Sequence, residues 1–222
     1  MRAIVTGSNR GIGLAICEEL VAKGWDVIAI CRKKSKELQD LPVQIEEGVD
    51  TRDITSLQRV RKKIKGKVDL LINVAGIGHD DSLEHPRYEE FLEQFEVNVL
   101  GTFKATRTLL PLLKKGSKIV IISSTAGSIG RRKRLGESGN LYGYRVSKCA
   151  VNMLGVLLSE DLKKKGIPVL LMHPGVVKTR MTNFQGDVTP EESAKGLVKV
   201  ISRSSMKKTG SYQTFQGKTL PW

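Results

Sequence analysis

Short apolar runs alternate along the chain with longer segments whose apolar residues recur every three or four positions. The short runs predict strands at residues 3–6, 26–31, 43–49, 69–73, 118–123 and 168–173. Most of these runs are almost continuously apolar, as strands are when both faces of their sheet are covered. The longer segments predict helices at residues 11–23, 54–64, 88–115 and 144–165. The third of these helices is expected to bend near Asn98.

This alternation predicts an α/β fold, a parallel sheet with crossover helices. A chain of 222 residues with 40% hydrophobic content suits one such domain, expected to span residues 1–222. The sequence has no stretch near the roughly 18 apolar residues of a membrane span. Because the N-terminus enters a strand directly, no signal peptide is expected and the predicted location is cytoplasmic.

The charge balance favours anionic ligands. The chain has 37 basic and 23 acidic residues and a net charge of +14, so its field attracts anions, a dinucleotide among them. The basic residues form short clusters without an aromatic-rich strand, so solvated surface is favoured over nucleic-acid binding. The three cysteines have no C-x-x-C spacing and the three histidines no ligand-like spacing. Neither a disulfide framework nor a metal site is therefore predicted.

A glycine-rich run, TGSNRGIG, directly follows the first predicted strand and opens the first helix. In this context Gly7 permits a tight turn, Gly13 permits close helix packing, and Gly11 and Ile12 present backbone N–H groups at the helix N-terminus. Aligned peptide dipoles there favour a pyrophosphate. The predicted cofactor-binding residues of the turn are Gly7, Ser8, Asn9, Arg10, Gly11, Ile12 and Gly13. The alternative is an ordinary strand-to-helix turn.

The end of the second predicted strand bears on the choice of cofactor. A carboxylate at this position would bind the ribose hydroxyls of NAD and exclude a 2′-phosphate. Here the strand ends in Cys31 and Arg32, followed by two lysines. The planar guanidinium of Arg32 can pair with a 2′-phosphate, so NADP is predicted over NAD. The alternative is that these residues are surface charges of a loop.

Tyr144 and Lys148, in the run YGYRVSK, are one helical turn apart and therefore share a face. A free tyrosine, with a pKa near 10, holds its proton too tightly for exchange at neutral pH. A lysine ammonium nearby, together with a positively charged oxidised nicotinamide, would lower that pKa. Tyr144 could then give a proton in reduction and take one in oxidation. The pair alone is weak evidence for this chemistry, so the interpretation depends on the motifs around it.

Several motifs together resemble the short-chain dehydrogenase/reductase family over nearly the whole chain. They are TGSNRGIG, NVAG at residues 73–76, Asn98, Ser124, the Tyr144 and Lys148 pair, and HPGVVKTRM at residues 173–181. Within the family, TGSNRGIG, YRVSK and GKTLPW resemble the branch of C-factor-like and sniffer-like carbonyl reductases. The resemblance implies an α/β fold, a single doubly wound Rossmann-type parallel sheet with helices on both faces, which binds a nicotinamide cofactor. It also implies the catalytic tetrad Asn98, Ser124, Tyr144 and Lys148.

In this resemblance Tyr144 is the general acid and base, and Lys148 also holds the nicotinamide ribose. Ser124 would donate a hydrogen bond to the carbonyl oxygen as negative charge develops there. Asn98 would anchor a water that returns protons to Lys148. The twenty positions between Ser124 and Tyr144 exceed the usual family spacing. Ser123 is the alternative serine, but the pleat of the strand is expected to turn it the other way.

Further cofactor contacts follow from the same resemblance. Asp50 and Thr51 correspond to the adenine-contacting position. The residues expected on the adenosine side and beside the central sheet are Asn73, Ala75 and Gly76. Those expected to hold the nicotinamide carboxamide are Pro174, Gly175, Val177 and Thr179. For Thr179 a helix cap is the alternative.

The expected function is an NADP-dependent oxidoreductase that moves a hydride between the nicotinamide and a carbonyl or secondary alcohol of a small molecule. The alternatives are a 3-ketoacyl-carrier-protein-type reductase and a cofactor-binding regulatory or signalling protein with incidental redox activity. Members of the family often form dimers or tetramers through their two long helices, so the resemblance implies a homo-oligomer. Residues 125–141 and 182–189 are expected to cover the substrate but contain no motif. The basic cluster at residues 131–134 would favour an acidic ketone or carrier protein, or is a solvated loop.

Overall fold

The structure is a computed structural model that describes residues 1–135 and 140–222, with the side chains of residues 133–135 left aside. Its strands are β1 (Arg2–Thr6), β2 (Asp26–Ile30), β3 (Gln44–Glu46), β4 (Val68–Asn73), β5 (Leu113–Ile122), β6 (Val169–His173) and β7 (Ser211–Thr214). Its helices are α1 (Gly11–Ala22), α2 (Lys36–Gln39), α3 (Ile54–Lys63), α4 (Tyr88–Phe95), α5 (Thr102–Leu109), α6 (Ile129–Leu135), α7 (Tyr142–Lys163) and α8 (Pro190–Arg203).

The seven strands form one parallel sheet in the order β3-β2-β1-β4-β5-β6-β7. Successive strands are added towards one edge from β1 to β3 and towards the other edge from β4 to β7. The order therefore reverses between β1 and β4, which is the point where doubly wound sheets bind ligands at their carboxyl edge. The predicted fold class, a doubly wound sheet with helices on both faces, is therefore confirmed.

Two buried apolar cores lie on opposite faces of the sheet. On one face, Leu57 of α3, Leu109 of α5 and Leu158 of α7 belong to one cluster. On the other face, Ile16 of α1 and Leu197 of α8 belong to a second cluster. Successive strand residues alternate between the two clusters, which explains why the strands read as nearly continuous apolar runs. In the part of the chain that the structure describes, no helix is long and apolar enough to cross a membrane.

The predicted helix over residues 88–115 is wrong at its end and interrupted in its middle. A π-helical segment, Glu96–Gly101, lies between α4 and α5 and contains Asn98, where the bend was expected. After α5 a single 3-10 turn, Leu110–Leu112, includes a proline, which cannot donate a helical hydrogen bond. Leu113 then adopts extended backbone and pairs with Val68, so the chain enters β5 instead of continuing the helix.

Candidate functional site

The first of two cavities at the carboxyl edge of the sheet has a volume of about 1050 Å³ and lies against the glycine-rich turn. Gly7 and Gly11 have positive φ angles of 66° and 52°, a conformation that favours glycine. A Cβ atom on Gly13 would lie 2.1 Å from the carbonyl oxygen of Gly7. The turn therefore depends on glycine to bring α1 close to β1 and to aim the first N–H groups of α1 at the cavity, an arrangement that suits a phosphate.

A basic rim surrounds this cavity. Arg32, Lys33 and Lys34 line it from the end of β2, and Lys178 and Arg180 line it from the segment after β6. The sequence prediction named Arg32 from this rim and missed the other four residues. The signal for Lys178 and Arg180 was their place in the HPGVVKTRM run, next to Thr179.

Asp50 is the predicted carboxylate of this cavity, and Thr51 lies beside it. The Asp50 carboxylate forms an ion pair of 2.8 Å with Arg52. The hydrogen bond from Arg52 is the main reason why the pKa of Asp50 lies below its usual value. This carboxylate is therefore balanced by its own neighbour and leaves the rim positively charged.

Most predicted cofactor-binding residues line the first cavity. They are Gly7, Asn9, Arg10, Gly11, Ile12, Gly13, Arg32, Asp50, Thr51, Ala75, Gly76 and Thr179. Ser8 and Asn73 are buried instead and are not among its lining residues. The Ser8 hydroxyl donates to the Ile30 carbonyl at 3.1 Å, and the Asn73 amide donates to the Thr106 hydroxyl at 3.0 Å. Both side chains support the backbone around the cavity.

A second cavity of about 480 Å³ adjoins the first, and four residues line both: Ile12, Gly78, Thr179 and Met181. Tyr144 and Ser124 line the second cavity, as do the predicted residues Pro174, Gly175 and Val177. Both segments expected to cover a substrate contribute to its wall, through Thr125, Ala126, Arg131, Arg132, Leu141 and Thr182. Residues 136–139 of the predicted cover, and the side chains of Lys133 and Arg134, lie outside the described part.

The structure brings Ser124, Tyr144 and Lys148 together beside the second cavity, which Ser124 and Tyr144 line. Ser124 follows β5, and a hydrogen bond from its hydroxyl lowers the pKa of the Tyr144 phenol. Lys148, one turn further along α7, is buried, with Nζ 5.7 Å from the Tyr144 ring centre. This ammonium donates a 3.0 Å hydrogen bond to the carbonyl of Ile122. The three side chains therefore come from two elements, a strand end and a helix face, that pack against each other.

Burial sets the protonation of this group. Burial lowers the pKa of Lys148 to about 8. Burial also raises the pKa of Tyr144, and the Ser124 hydrogen bond opposes that rise. The protein alone therefore does not produce the lowered tyrosine pKa expected from the sequence, because desolvation of the phenolate outweighs the hydrogen bond from Ser124.

Asn98 connects the segment after β4 to α7. Its Oδ1 accepts from the Ile77 N–H at 2.8 Å, and its Nδ2 donates to the Ile77 carbonyl and to the Ser147 hydroxyl, both at 2.9 Å. A Cβ on Gly76 would lie 3.1 Å from Asn98 Oδ1 and 3.6 Å from Lys148 Nζ. Glycine at position 76 thus lets this segment approach both polar side chains.

Ser123, the alternative serine, takes a different role in the structure. It is buried and donates to Asn152 Oδ1 of α7 at 2.5 Å. Ser124, not Ser123, is the serine whose hydrogen bond lowers the pKa of Tyr144. The structure thus brings Ser124 together with Tyr144 and uses Ser123 to fasten β5 to the helix.

Three supporting residues were missed in the sequence. Asp81 caps α7 from a distant segment, because its carboxylate accepts from the Gly143 N–H at 3.0 Å and also from the Tyr142 N–H. The Tyr212 hydroxyl donates to the backbone carbonyl of Ser124. His173 Nδ1 accepts from the Thr125 N–H at 3.3 Å. His173 stands in a recognised motif, whereas Asp81 and Tyr212 act across 61 and 88 positions and leave no local signal.

Comparison with known proteins agrees with this geometry. The profile of the family described as short chain dehydrogenase matches residues 1–190, and the chain belongs to this family.

Among individual relatives, the chain is 36% identical over 226 residues to a 1-hydroxy-2-glutathionyl-2-methyl-3-butene dehydrogenase of Rhodococcus sp. (strain AD45), covering 99% of this chain and 98% of the relative. Among solved structures, the NADPH-bound carbonyl reductase from chicken fatty liver is 31% identical with a TM-score of 0.90, covering 100% of this chain and 98% of the other. The carbonyl reductase Sniffer of D. melanogaster is 27% identical with a TM-score of 0.91, covering 100% and 99%. These neighbours support the predicted carbonyl reductase branch.

Proposed function

We propose that this oxidoreductase uses NADP to transfer a hydride to or from a carbonyl or secondary alcohol of a small molecule, with Tyr144 as general acid and base. The observation that carries the proposal is that Ser124 and Tyr144 line the second cavity together, with the buried Lys148 ammonium 5.7 Å from the Tyr144 ring centre. The first cavity has the glycine turn that a dinucleotide needs, and the second has room for a small molecule.

The residues of the first cavity fit the proposed cofactor. The N–H groups at the start of α1 would hold the pyrophosphate, and Arg32 would pair with the 2′-phosphate. The positive rim and the absence of a carboxylate at positions 31–34 support NADP over NAD. The related chicken reductase, which was solved with NADPH, adds to that support. When bound, the cofactor supplies the hydride.

The protein side chains handle the proton and the substrate oxygen. In reduction, the Ser124 and Tyr144 hydroxyls would both donate to the carbonyl oxygen, and the Tyr144 proton would pass to it as negative charge develops. Burial raises the pKa of Tyr144 and so keeps the phenol protonated at neutral pH. The buried Lys148 ammonium favours the phenolate left behind. Asn98 would hold the loop against Lys148 and would anchor the predicted water.

The central test replaces one tyrosine and spares its neighbour. Tyr144→Phe removes only the hydroxyl, and general acid and base groups contribute about 10²- to 10⁴-fold in rate. We expect kcat to fall by about that factor when consumption of reduced NADP is followed across aldehydes, diketones, quinones and ketoacyl thioesters.

Tyr142→Phe is the matched control, because Tyr142 belongs to the same helix but lines neither cavity. It should keep full activity, and both variants should unfold at the wild-type temperature. Equal activity of Tyr144→Phe and wild type would refute the mechanism. Turnover confined to ketoacyl thioesters would select the carrier-protein reductase, and cofactor binding without any turnover would select the regulatory protein.

We further propose that the protein forms a homo-oligomer through the faces of α4 and α7. These helices pack together and expose apolar side chains, including Leu92 at 70% and Met153 at 61% of their surface. Met153→Glu should shift the mass measured by light scattering to that of a monomer, and an unchanged mass would oppose this interface. The three free cysteines support the expected cytoplasmic location, which stays a prediction.

A further inference from the structure

The charges of the second cavity are distinct from those of the first. Arg131, Arg132 and Arg145 line the second cavity and none of them lines the first. One carboxylate residue, Asp80, is among the described residues of the second wall. The proposed cofactor therefore accounts for the basic rim around Arg32 but not for this second group of cations, which lies beside Ser124 and Tyr144.

Arg131 is the member of this group best placed to meet a ligand. Arg145 already donates to the carbonyl and side-chain oxygens of Asn140, at 2.8 and 2.9 Å. Arg131 is exposed, and among the residues that the structure describes no carboxylate lies within ion-pair distance of its guanidinium. His173 also lines the second cavity, and burial together with the positive charge of Arg131 lowers its pKa to about 4. His173 is therefore neutral at pH 7 and cannot repel an anion.

The backbone around Arg131 is anchored to a remote segment. The Ser128 hydroxyl donates to the Pro221 carbonyl at 2.7 Å, and the Gly130 N–H donates to the Trp222 carbonyl at 2.6 Å. The Trp222 ring stacks on Tyr212 with ring centres 5.3 Å apart. Because Tyr212 also holds the Ser124 carbonyl, one support positions both the start of α6 and the proposed catalytic serine.

We propose that the second cavity binds carbonyl compounds that carry a carboxylate, with Arg131 pairing with the carboxylate while Ser124 and Tyr144 hold the carbonyl oxygen. This inference rests on the proposed function, because it assigns the substrate class of the same site. A guanidinium can bind a carboxylate through two parallel hydrogen bonds, which selects position as well as charge. The cavity of about 480 Å³ limits the substrate to a small molecule.

The test compares keto acids with their methyl esters, which keep the carbonyl but lose the negative charge. Pairs with increasing spacing between carbonyl and carboxylate should be assayed with reduced NADP. We expect the best acid to exceed its ester about tenfold in kcat/KM, because only the acid forms a charged hydrogen bond with Arg131 and that bond is partly exposed to water. That preference should shrink as salt is raised, because salt screens exposed charges.

Arg131→Gln should reduce the ratio of acid to ester about tenfold, mainly through a higher KM for the acid. Arg131→Lys should restore part of the ratio, since it returns the charge without the planar geometry. Arg203→Gln, at the exposed end of α8, is the control and should leave the ratio unchanged.

The outcomes separate this inference from the proposed function. If acids and esters are reduced equally well by the wild type at every spacing, or if Arg131→Gln leaves the ratio intact, the carboxylate site is refuted while the oxidoreductase stands. If neither acids, esters nor any other carbonyl compound is reduced, the proposed function itself fails. The salt dependence of the wild-type ratio of acid to ester in kcat/KM tests the inference without requiring any variant to fold.

Discussion

The two cavities meet at Gly78 and Thr179 but are built in different ways. The first is lined by the glycine turn, by segments that follow strand ends and by residues 178–190. The wall of the second includes Ser124, whose carbonyl is held by Tyr212, and a segment held by Pro221 and Trp222, far along the chain. The comparison teaches that the turn at the first cavity is set by local backbone, whereas the wall of the second depends on long-range packing.

Crowding the backbone of the first cavity should have the largest effect. Gly13→Ala would put a Cβ 2.1 Å from the Gly7 carbonyl oxygen, so the turn must open. We expect NADP binding to become undetectable by titration calorimetry. Gly24→Ala is the control, because a Cβ there meets nothing within 4 Å and only its φ of 73° is strained. That variant should bind normally and lose about 1 kcal/mol of stability; tight binding by Gly13→Ala would contradict the local origin of the site.

The rim of the first cavity should act on cofactor choice alone. Arg32→Ser removes the proposed partner of the 2′-phosphate, and a charged hydrogen bond of about 1.5–3 kcal/mol corresponds to a loss of about 10- to 100-fold in NADP affinity. Affinity for NAD should change little. Arg107→Ser, exposed on α5 and outside both cavities, should alter neither affinity. NAD binding as tightly as NADP to the wild type would remove the basis for this prediction.

The pH dependence of turnover should report on the group between the cavities. Lys148 has a pKa of about 8, so its ammonium is fully charged below that pH and lost as pH rises through it. We expect kcat/KM for reduction to be flat from pH 6 to 7.5 and to fall about tenfold per pH unit above 8. The affinity for NADP, set mainly by backbone groups and Arg32, should change less. A rate that stays constant to pH 10 would exclude a charged Lys148 from the reaction.

Removing a long-range support of the second cavity should have the smallest effect. Tyr212→Phe keeps the stack on Trp222 but deletes the hydroxyl that donates to the Ser124 carbonyl. We expect a loss of about 1 kcal/mol in the free energy of unfolding and a fewfold lower kcat, with NADP affinity unchanged. Leu220 and Thr214 belong to the same region but line neither cavity. Thr214→Ser is the control and should leave kcat unchanged. If Tyr212→Phe lowered NADP affinity as much as it lowers kcat, the difference between the two cavities would be contradicted.

The sequence predicted the fold well wherever a local pattern was complete. Six of the seven strands were predicted from apolar runs, with their ends shifted by a few residues. β7 was missed because the run SYQT is half polar and forms a strand only through pairing with β6 at the edge of the sheet. α8 was missed although it has a signal: Thr189 and Glu192 form a capping box before an amphipathic stretch. The end of α5 was wrong because the pairing of Leu113 with Val68 overrides local periodicity.

The candidate site shows the same difference between residues with a local pattern and residues with distant partners. At the first cavity, the turn residues and Arg32 could be named from their positions after a strand, whereas Asp50 and Thr179 were named from the family resemblance. The supports of the second cavity could not be named, because neither Asp81 nor Tyr212 carries a pattern that identifies its distant backbone partner. Ser8 and Asn73 were predicted to bind the cofactor because they belong to motifs, but the motifs alone could not distinguish a lining residue from a buried support.

The contact between Ser128 and Pro221 spans 93 positions, and this separation imposes an order on synthesis. Every residue that lines the first cavity has been synthesised once Pro190 is added. The wall beside Ser124, by contrast, gains its anchor only after Trp222 is added. During translation the segments of the first cavity are therefore complete before the support of the second cavity is made.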